Sequence, residues 1–217
     1  MKKNNATFIR DTYKFNMIKN AKLTGKYDFP IATYTTELDI DSKFIPFNYA
    51  LTIKKPEDFY VYFYIDDYQF ERLWNYPSKY LNLLKKFKGV IAPDFSMYID
   101  MPMAMQIWNI YRTRVLSYFW SINNIKVIPN ASWSNASSYR WCFDGLPSNA
   151  VIAVSSIGCV KNKKALLNFC EGFLKMEEIL KPKQVLFFGN IPDSIQHNKT
   201  IKQITEDKKW ADAEVVI

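Results

Sequence analysis

The hydrophobic pattern of this 217-residue chain consists mainly of short apolar runs, each followed by a small polar cluster. Apolar runs of about four to eight residues between turn residues are typical of buried β-strands. The sequence predicts strands at 31–35, 49–53, 60–65, 89–92, 126–128, 151–155, 184–188 and 214–217. Helical patterns separate the later runs, and this alternation indicates βαβ units with a parallel sheet.

The helices are predicted from apolar positions that recur every three or four residues. They lie at 102–123, at 161–180, at 70–87 with a break at Pro77, and near 194–208. The first 28 residues have no firm period. We therefore expect an arm with at most a short helix that packs on the domain.

Polar residues end so many successive strands that the loops are expected to meet at one mouth. We predict an α/β fold with a largely parallel sheet and alternating helices, as a compact or incomplete β/α barrel. An open doubly wound sheet is the alternative. The aromatic segment 134–149 is too short for a full crossover helix, which argues against a regular eightfold barrel. The length fits one α/β domain at 29–217 after a basic arm at 1–28.

Composition and charge narrow the class of protein. Hydrophobic residues make up 48% of the chain and aromatic residues 17%, which is ample for a globular core. The net charge of +8 is concentrated in residues 1–26, which hold seven basic residues and one acid. The arm is therefore a candidate contact for nucleic acid or a host protein, whereas the nearly neutral body does not indicate a basic binding face.

The cysteine and histidine content favours a reduced intracellular protein. The three cysteines have neither disulfide-framework nor zinc-site spacing, and the single histidine, His197, disfavours a catalytic triad, so no metal site is predicted. No apolar run reaches the roughly 18 residues of a membrane span, and no signal peptide is evident. We expect a cytoplasmic protein that does not contact membranes.

Three carboxylates are the candidate catalytic residues. Asp67 follows the run YVYFYI, Asp94 follows GVIAP, and Asp144 lies in the turn CFDG. Carboxylates gathered at one mouth can hold Mg²⁺ with substrate phosphates, or act as an acid and base pair when their pKa values differ. In the alternative interpretation, Asp67 and Asp94 cap the following helices and Asp144 stabilises an Asp-Gly turn.

The candidate ligand-binding residues lie close to these carboxylates in the sequence. Asn130, Trp133 and Arg140 belong to the polar and aromatic loop after IKVIP, and such loops can stack on a ligand and hydrogen-bond it. The loop could equally form a hydrophobic plug. Tyr98 and Arg112 complete the set. The guanidinium of Arg112 suits a carboxylate or a ligand anion, although arginines at the border of an apolar stripe usually keep their heads in water.

A candidate anion site precedes the last long helix. The sequence SSIGCVKNKK enters that helix with Lys161, Lys163 and Lys164. The amino end of a helix attracts anions. The P-loop pattern is absent, however, and lysines in a first turn are most often only a solvated face.

The strings FYIDD, VIAPDFSMYIDMPMAMQIWNIYRTR, VIPNASW, CFDG and SIGC, in this order and spacing, resemble the DUF4417 family of bacterial, phage and mobile-element proteins. The resemblance covers about residues 29–193. It implies an accessory role in a phage or mobile element and brings no established activity. Ser132 and Ser134 replace a charged residue expected beside the Trp of VIPNASW, so the chemistry of an ion or base site in that loop would differ here.

Three functional hypotheses follow. The first is a polar pocket at the carboxyl ends of the strands that binds or processes a nucleotide or another phosphate-bearing ligand, with Mg²⁺ as a candidate cofactor. The second is a non-enzymatic binding protein that acts on a host or phage protein or on DNA. The third treats the polar strand ends as caps and turns of a scaffold. Whether a reaction is catalysed stays open at this point.

Overall fold

The structure, a computed structural model, describes residues 11–36, 38, 42–159, 162–195 and 200–204. Its strands are β1 (Leu23–Thr24), β2 (Phe29–Pro30), β3 (Lys43–Pro46), β4 (Phe59–Tyr62), β5 (Gly89–Ile91), β6 (Val127–Ile128), β7 (Val151–Ser155), β8 (Gln184–Phe188) and β9 (Ile201–Ile204). Its α-helices are α1 (Asp67–Asn75), α2 (Pro77–Leu84), α3 (Met103–Ile122) and α4 (Lys163–Leu180). No helix within these ranges is long and apolar enough to span a bilayer.

Seven parallel strands follow one another in chain order. β3 to β6 form a four-stranded sheet and β7 to β9 form a three-stranded sheet. A parallel bridge between Asn130 and Ala153 joins the two. The amide of Ala131 donates to the Ala153 carbonyl at 2.9 Å, and the amide of Ala153 donates to the Pro129 carbonyl at 2.8 Å. The strands therefore run from β3 to β9 without a reversal of order.

One face of these strands encloses an interior filled with aromatic and aliphatic side chains. Residues from all seven strands pack into it, because strand side chains alternate between two faces. The ring of Phe188 on β8 lies 5.5 Å from that of Phe44 on β3 and 5.0 Å from that of Tyr62 on β4. Side chains from strands so far apart in the order meet only if the sheet curls. The seven strands therefore form an incomplete barrel.

The outer face of the strands carries the helices. Phe63, after β4, stacks on Trp120 of α3 with ring centroids 5.7 Å apart. Farther along the sheet, Phe187 of β8 packs on Phe173 of α4 at 6.2 Å. Two helix-side cores thus lie on the opposite face of the strands from the interior.

The predicted α/β class with a parallel sheet and alternating helices is confirmed, and the barrel is incomplete. Among the described residues β9 does not pair with β3, so the barrel stays open at that seam. The doubly wound alternative requires the strand order to reverse at a switch point. The strand order from β3 to β9 contains no reversal, which excludes that alternative for the described strands.

Several local predictions are wrong. Segment 31–35 is irregular rather than a strand, and the amide of Thr35 donates to the carbonyl of Val127 at 2.8 Å. Segment 49–53 is not a strand either, because it contains the end of the 3₁₀ helix Phe47–Tyr49 and a turn. The strand of this region is β3, which lies earlier in the chain and pairs with β4. Residues 201–204, expected in a helix, pair with β8 as β9. The predicted strand at 214–217 lies outside the described residues.

Residues 11–28, the described part of the segment predicted as a basic arm, pack against the rest of the protein. Ile18 is buried in the core formed by β4 and α3, and β1 pairs with β2. Lys14 Nζ donates to the carbonyl of Asn75 at 3.2 Å. Lys19, Lys22 and Lys26 are exposed. This part of the arm therefore combines a buried anchor with an exposed basic surface.

Candidate functional site

A cavity of about 610 Å³ opens at the carboxyl ends of the parallel strands. Loops after four strands and the amino end of α4 line it: Tyr64–Asp66 after β4, Asp94 and Ser96–Asp100 after β5, Ala131–Ser134 after β6, Ser155 and Ile157–Cys159 at the end of β7, and Asn162, Lys164, Ala165, Asn168 and Phe169. Ligand pockets measure roughly 300–1,000 Å³, so this cavity has the size of a small-molecule site.

Asp94 lies in the wall of this cavity and does not cap a helix. The next helix, α3, begins only at Met103. Asn130 Nδ2 donates to Asp94 Oδ1 at 2.9 Å, and the side chain of Ser132 also hydrogen-bonds the carboxylate. The charged group that acts on Asp94 is another carboxylate, that of Asp67. The capping interpretation of Asp94 is therefore wrong.

Asn130 connects Asp94 to the barrel interior. The hydroxyl of Tyr64 donates to Asn130 Oδ1 at 3.0 Å, while Asn130 Nδ2 donates to Asp94. Asn130 is 1% exposed and Tyr64 is 6% exposed. Because both ends of the amide are occupied, Asn130 cannot turn without losing hydrogen bonds. The hydrogen bond from Asn130 therefore fixes the orientation of the Asp94 carboxylate from the side of the barrel interior.

The protonation of this network follows from its burial. The pKa of Asp94 is raised to about 6, mainly by burial and less by the charge of Asp67, against the lowering effect of the hydrogen bonds from Asn130 and Ser132. Burial also raises the pKa of Tyr64 well above its usual value, so that its hydroxyl stays a neutral donor. A carboxyl group with a pKa near 6 can gain or lose a proton close to neutral pH.

Asp67 holds the loop that carries Asp94. It is the first residue of α1, and its carboxylate accepts hydrogen bonds from the Ser96 amide at 3.2 Å and from Ser96 Oγ at 2.9 Å. Burial raises the pKa of Asp67, and the bonds from Ser96 oppose this rise. Asp67 thus lies behind the cavity wall, close enough for its charge to act on Asp94.

Arg112 makes contacts between elements and is not among the residues that line the cavity. Its Nη1 lies 2.8 Å from both carboxylate oxygens of Glu71 on α1, and its Nη2 donates to Asn109 Oδ1 at 2.7 Å. The guanidinium lies 3.8 Å from the ring centroid of Phe95. Arg112 therefore joins α1 and the loop after β5 to α3.

Trp133 and Tyr98 supply aromatic surface to the cavity. Trp133 is 9% exposed and stacks on Phe169 of α4 with ring centroids 5.2 Å apart. Tyr98 is 63% exposed, and its carbonyl accepts a hydrogen bond from Ser134 Oγ at 3.3 Å. Trp133 is therefore a fixed part of the wall, whereas the ring of Tyr98 stands at the rim.

The amino end of α4 brings a positive charge to the cavity. Asn162 caps the helix, since its Oδ1 accepts from the amides of Lys164 at 2.9 Å and Ala165 at 3.2 Å. Lys164 is the one lysine or arginine among the described residues that line the cavity. Lys161 lies outside the described residues. Within the described part of the chain, Lys164 and the helix dipole are the features that would attract an anion to the cavity.

Asp144 and Arg140 line a second cavity of about 560 Å³. The buried Arg114 holds this loop there: Nε donates to the Asp144 carbonyl at 3.0 Å and Nη2 donates to the Cys142 carbonyl at 2.7 Å. A β-carbon on Gly25 would collide with the Asp144 carboxylate, so the two are in close contact. Burial raises the pKa of Asp144, and Arg114 lowers it. Of the three candidate carboxylates, the structure brings together Asp67 and Asp94, with Asp144 elsewhere.

The described ranges contain no cluster of three or more His, Cys, Asp or Glu side chains that could hold a metal ion. His197 lies outside those ranges. Mg²⁺ usually keeps several waters and is bound through one or two carboxylates plus substrate phosphates. A magnesium ion at this cavity would therefore have to enter with the phosphates of a ligand.

Tyr64 and Cys159 were missed from the sequence. Tyr64 looks like a core aromatic, yet it shares the period-two alternation of Tyr60 and Tyr62 and comes just before a polar cluster, which was the available signal. Cys159 lines the cavity, and Asp94 acts on it electrostatically. Ser132 drew attention only as a departure from a family pattern, and it contacts Asp94.

These features define the class of protein: an incomplete β/α barrel with a polar and aromatic cavity at the carboxyl ends of its strands. The chain belongs to the family described as "Domain of unknown function (DUF4417)", which matches residues 21–206. The resemblance noted in the sequence is thereby confirmed. The match also begins within the arm, at residue 21.

Two phage proteins are similar to part of the chain. The "Gene 1 protein" of Mycobacterium phage L5 is 34% identical over 131 residues, which cover 60% of this chain and 57% of the phage protein. The "Gene 1 protein" of Mycobacterium phage D29 is 34% identical over 131 residues, covering 60% and 48%. The chain thus spans about half the length of these relatives. No solved structure matches it.

Proposed function

We propose that this protein binds a nucleotide or another phosphate-bearing small molecule in the 610 Å³ cavity at the strand ends. The observation that carries the proposal is the presence in one cavity of a lysine at a helix amino end, a carboxylate with no cationic partner in the described part of the chain, and aromatic wall residues. These are Lys164, Asp94, Trp133 and Phe169. A nucleotide suits this combination, because it has a negatively charged phosphate end and a flat base that can form hydrogen bonds.

The α4 side is the phosphate side in this proposal. Lys164 supplies a positive charge there, and the dipole of α4 adds a partial positive charge at its amino end. The amides of Lys164 and Ala165 are already bonded to Asn162, so the phosphate would contact the lysine rather than those amides. Asp94 and Asp67 would repel a phosphate from the other side.

The proposal is tested by thermal shift with nucleoside mono-, di- and triphosphates, sugar phosphates and inorganic phosphate, each with and without Mg²⁺. Compounds that bind raise Tm by mass action. Lys164→Ala is expected to lower the affinity for phosphate-bearing compounds about tenfold, which is the effect expected from the loss of one charge-assisted hydrogen bond. Lys163→Ala is the matched control, since Lys163 is exposed in the same helical turn and does not line the cavity.

Two outcomes would count against phosphate binding. One is the absence of any Tm increase across the panel at millimolar concentrations. The other is an equal loss for Lys164→Ala and Lys163→Ala, which would show that the charge acts from outside the cavity. Because the Asp94 carboxyl can exchange a proton near neutral pH, the same samples should be analysed for products.

A further inference from the structure

We propose that Asp94 recognises two adjacent hydrogen-bond donors on the bound ligand. The N1–H and 2-amino groups of guanine form such a pair, and so do the 2′- and 3′-hydroxyls of a ribose. This inference rests on the proposed function and specifies which part of the ligand meets the loop after β5. It specifies that the phosphate-bearing ligand carries such a donor pair, and nucleotides are the compounds used to test this.

The first step is a count of hydrogen bonds at the carboxylate. An ionised carboxylate offers about four acceptor positions. Within the described residues, its hydrogen bonds come from Asn130 Nδ2 at 2.9 Å and from the side chain of Ser132. About two positions therefore remain for groups that enter the cavity.

The second step concerns charge. Among the described residues, the ionisable groups that interact with Asp94 are Asp67, Tyr64 and Cys159, and none of them is a cation. A carboxylate withdrawn from water is costly unless hydrogen bonds or a cation compensate it. Lys164 lines the same cavity but is not among the groups that set the protonation of Asp94. Donors on a ligand would therefore add to the hydrogen bonds of Asp94, for which the described residues supply no cation.

The third step concerns orientation. Asn130 cannot serve the ligand directly, because its Oδ1 accepts from Tyr64 and its Nδ2 donates to Asp94. It holds the carboxylate in one orientation before the ligand arrives. A carboxylate held in this way matches a planar pair of N–H groups or a vicinal diol, and preorganisation reduces the cost of binding.

The experiment is calorimetric titration of eight compounds: guanosine and adenosine, each with ribose or 2′,3′-dideoxyribose, and each with or without a 5′-diphosphate. Guanine presents two adjacent N–H donors, whereas adenine presents a donor beside an acceptor. If the base is the source of the donor pair, guanine compounds bind more tightly than adenine compounds. If the sugar is the source, ribosides bind more tightly than dideoxyribosides.

Asp94→Asn should lower the affinity for donor-bearing compounds by roughly ten- to a hundredfold, because an amide offers one acceptor and one donor. The same substitution should leave the affinity for compounds without the donor pair nearly unchanged. Asp58→Asn is the control, since Asp58 is exposed just before β4, at the opposite end of that strand from the cavity. If guanine is the source, Asp94→Asn should also gain affinity for xanthosine, whose N1–H and 2-oxo groups match an amide.

The inference is overturned if 2′,3′-dideoxyadenosine binds as tightly as guanosine, or if Asp94→Asn leaves every preference unchanged. Failure of the proposed function gives a different result. Each nucleoside would then bind with the same affinity with and without the 5′-diphosphate, while the preference for compounds with a donor pair persists. Absence of binding by all eight compounds overturns both.

Discussion

The indole of Trp133 packs directly on Gly172 of α4, where a β-carbon would collide with the indole nitrogen. Gly172→Ala should therefore push Trp133 out of the wall, even though alanine favours helices. We expect a loss of about 1–3 kcal/mol in the free energy of unfolding, as for other overpacked sites. Urea unfolding measures this loss.

Glu171→Ala is the control for that helix, because Glu171 is exposed beside Gly172. Surface substitutions usually change stability by no more than about 0.5 kcal/mol. Equal stability of Gly172→Ala and the unaltered protein would show that the Trp133 indole moves at little cost.

Asp94→Asn should stabilise the protein above about pH 7. The pKa of Asp94 is about 6 in the folded protein and about 3.9 in an unfolded chain, so the folded state holds the proton more tightly. Ionisation of Asp94 therefore costs stability, fully above the folded pKa and not at all below about pH 4. We expect a gain of roughly 1–3 kcal/mol at about pH 8 that vanishes at about pH 4. Urea unfolding at both pH values tests this, and a loss at pH 8 would contradict it.

Replacing Arg114 by methionine should destabilise the loop that lines the second cavity. Arg114 is buried and donates to the carbonyls of Asp144 and Cys142, which would lose these bonds. Removal of a buried, hydrogen-bonded charge typically costs about 3 kcal/mol or more when its partners stay behind. Denaturant unfolding and limited proteolysis would both register the change.

Arg140→Met provides the matched comparison for Arg114→Met. Arg140 belongs to the same loop but is exposed. Its replacement should leave the unfolding midpoint within the error of measurement. Equal effects of the two variants would mean that the loop is not held by Arg114.

The thiols should differ in reactivity. Cys142 is fully buried, and burial raises its pKa to about 12, so it should resist alkylation in the folded protein. Cys159 lines the cavity, and burial raises its pKa as well, but its partial exposure should allow slow reaction. Peptide mass spectrometry after iodoacetamide treatment would measure both rates. Alkylation of Cys142 at the rate of Cys159 would contradict this packing.

A ligand that fills the cavity should protect Cys159 from the reagent. Cys170→Ser removes the other half-buried thiol and isolates the signal. Protection should follow the affinity of each compound, and unchanged alkylation with a bound nucleotide would place that nucleotide elsewhere.

Binding of a donor-bearing nucleoside without phosphate should weaken as the pH falls through about 6. Protonation of Asp94 removes acceptor capacity, so the ionised form binds the donor pair better. The affinity of guanosine should fall several-fold from about pH 7.5 to about pH 5, and Asp94→Asn should flatten this dependence. Calorimetry in matched buffers measures it. A pH-independent affinity would contradict a contact with Asp94.

Much of the architecture was predictable because it depends on local periodicity. The bounds of β7 and β8 agree with the predicted ranges 151–155 and 184–188, and α3 lies within the predicted 102–123. The positions of β3 and β9 were not predictable in this way. Their strands are fixed by pairing with β4 and β8, and nonlocal pairing leaves little trace in a single sequence.

The candidate site was predictable only in part, for a related reason. Asp94, Asn130 and Trp133 share one end of the sheet because each follows a parallel strand. Asp144 follows no strand, and its loop is directed by contacts with the buried Arg114, a long-range partner in the sequence. Arg112 likewise finds Glu71 on another helix, a pairing that no local spacing indicates.

The barrel interior also has a consequence for how the cavity can be altered. Its aromatic and aliphatic side chains pack the seven strands together from inside, while each wall of the cavity comes from a separate loop. A loop can then change in sequence or length with little effect on the ring packing beneath it. Substitutions in the loops after β5, β6 and β7 should therefore change ligand preference while the floor of the cavity stays the same.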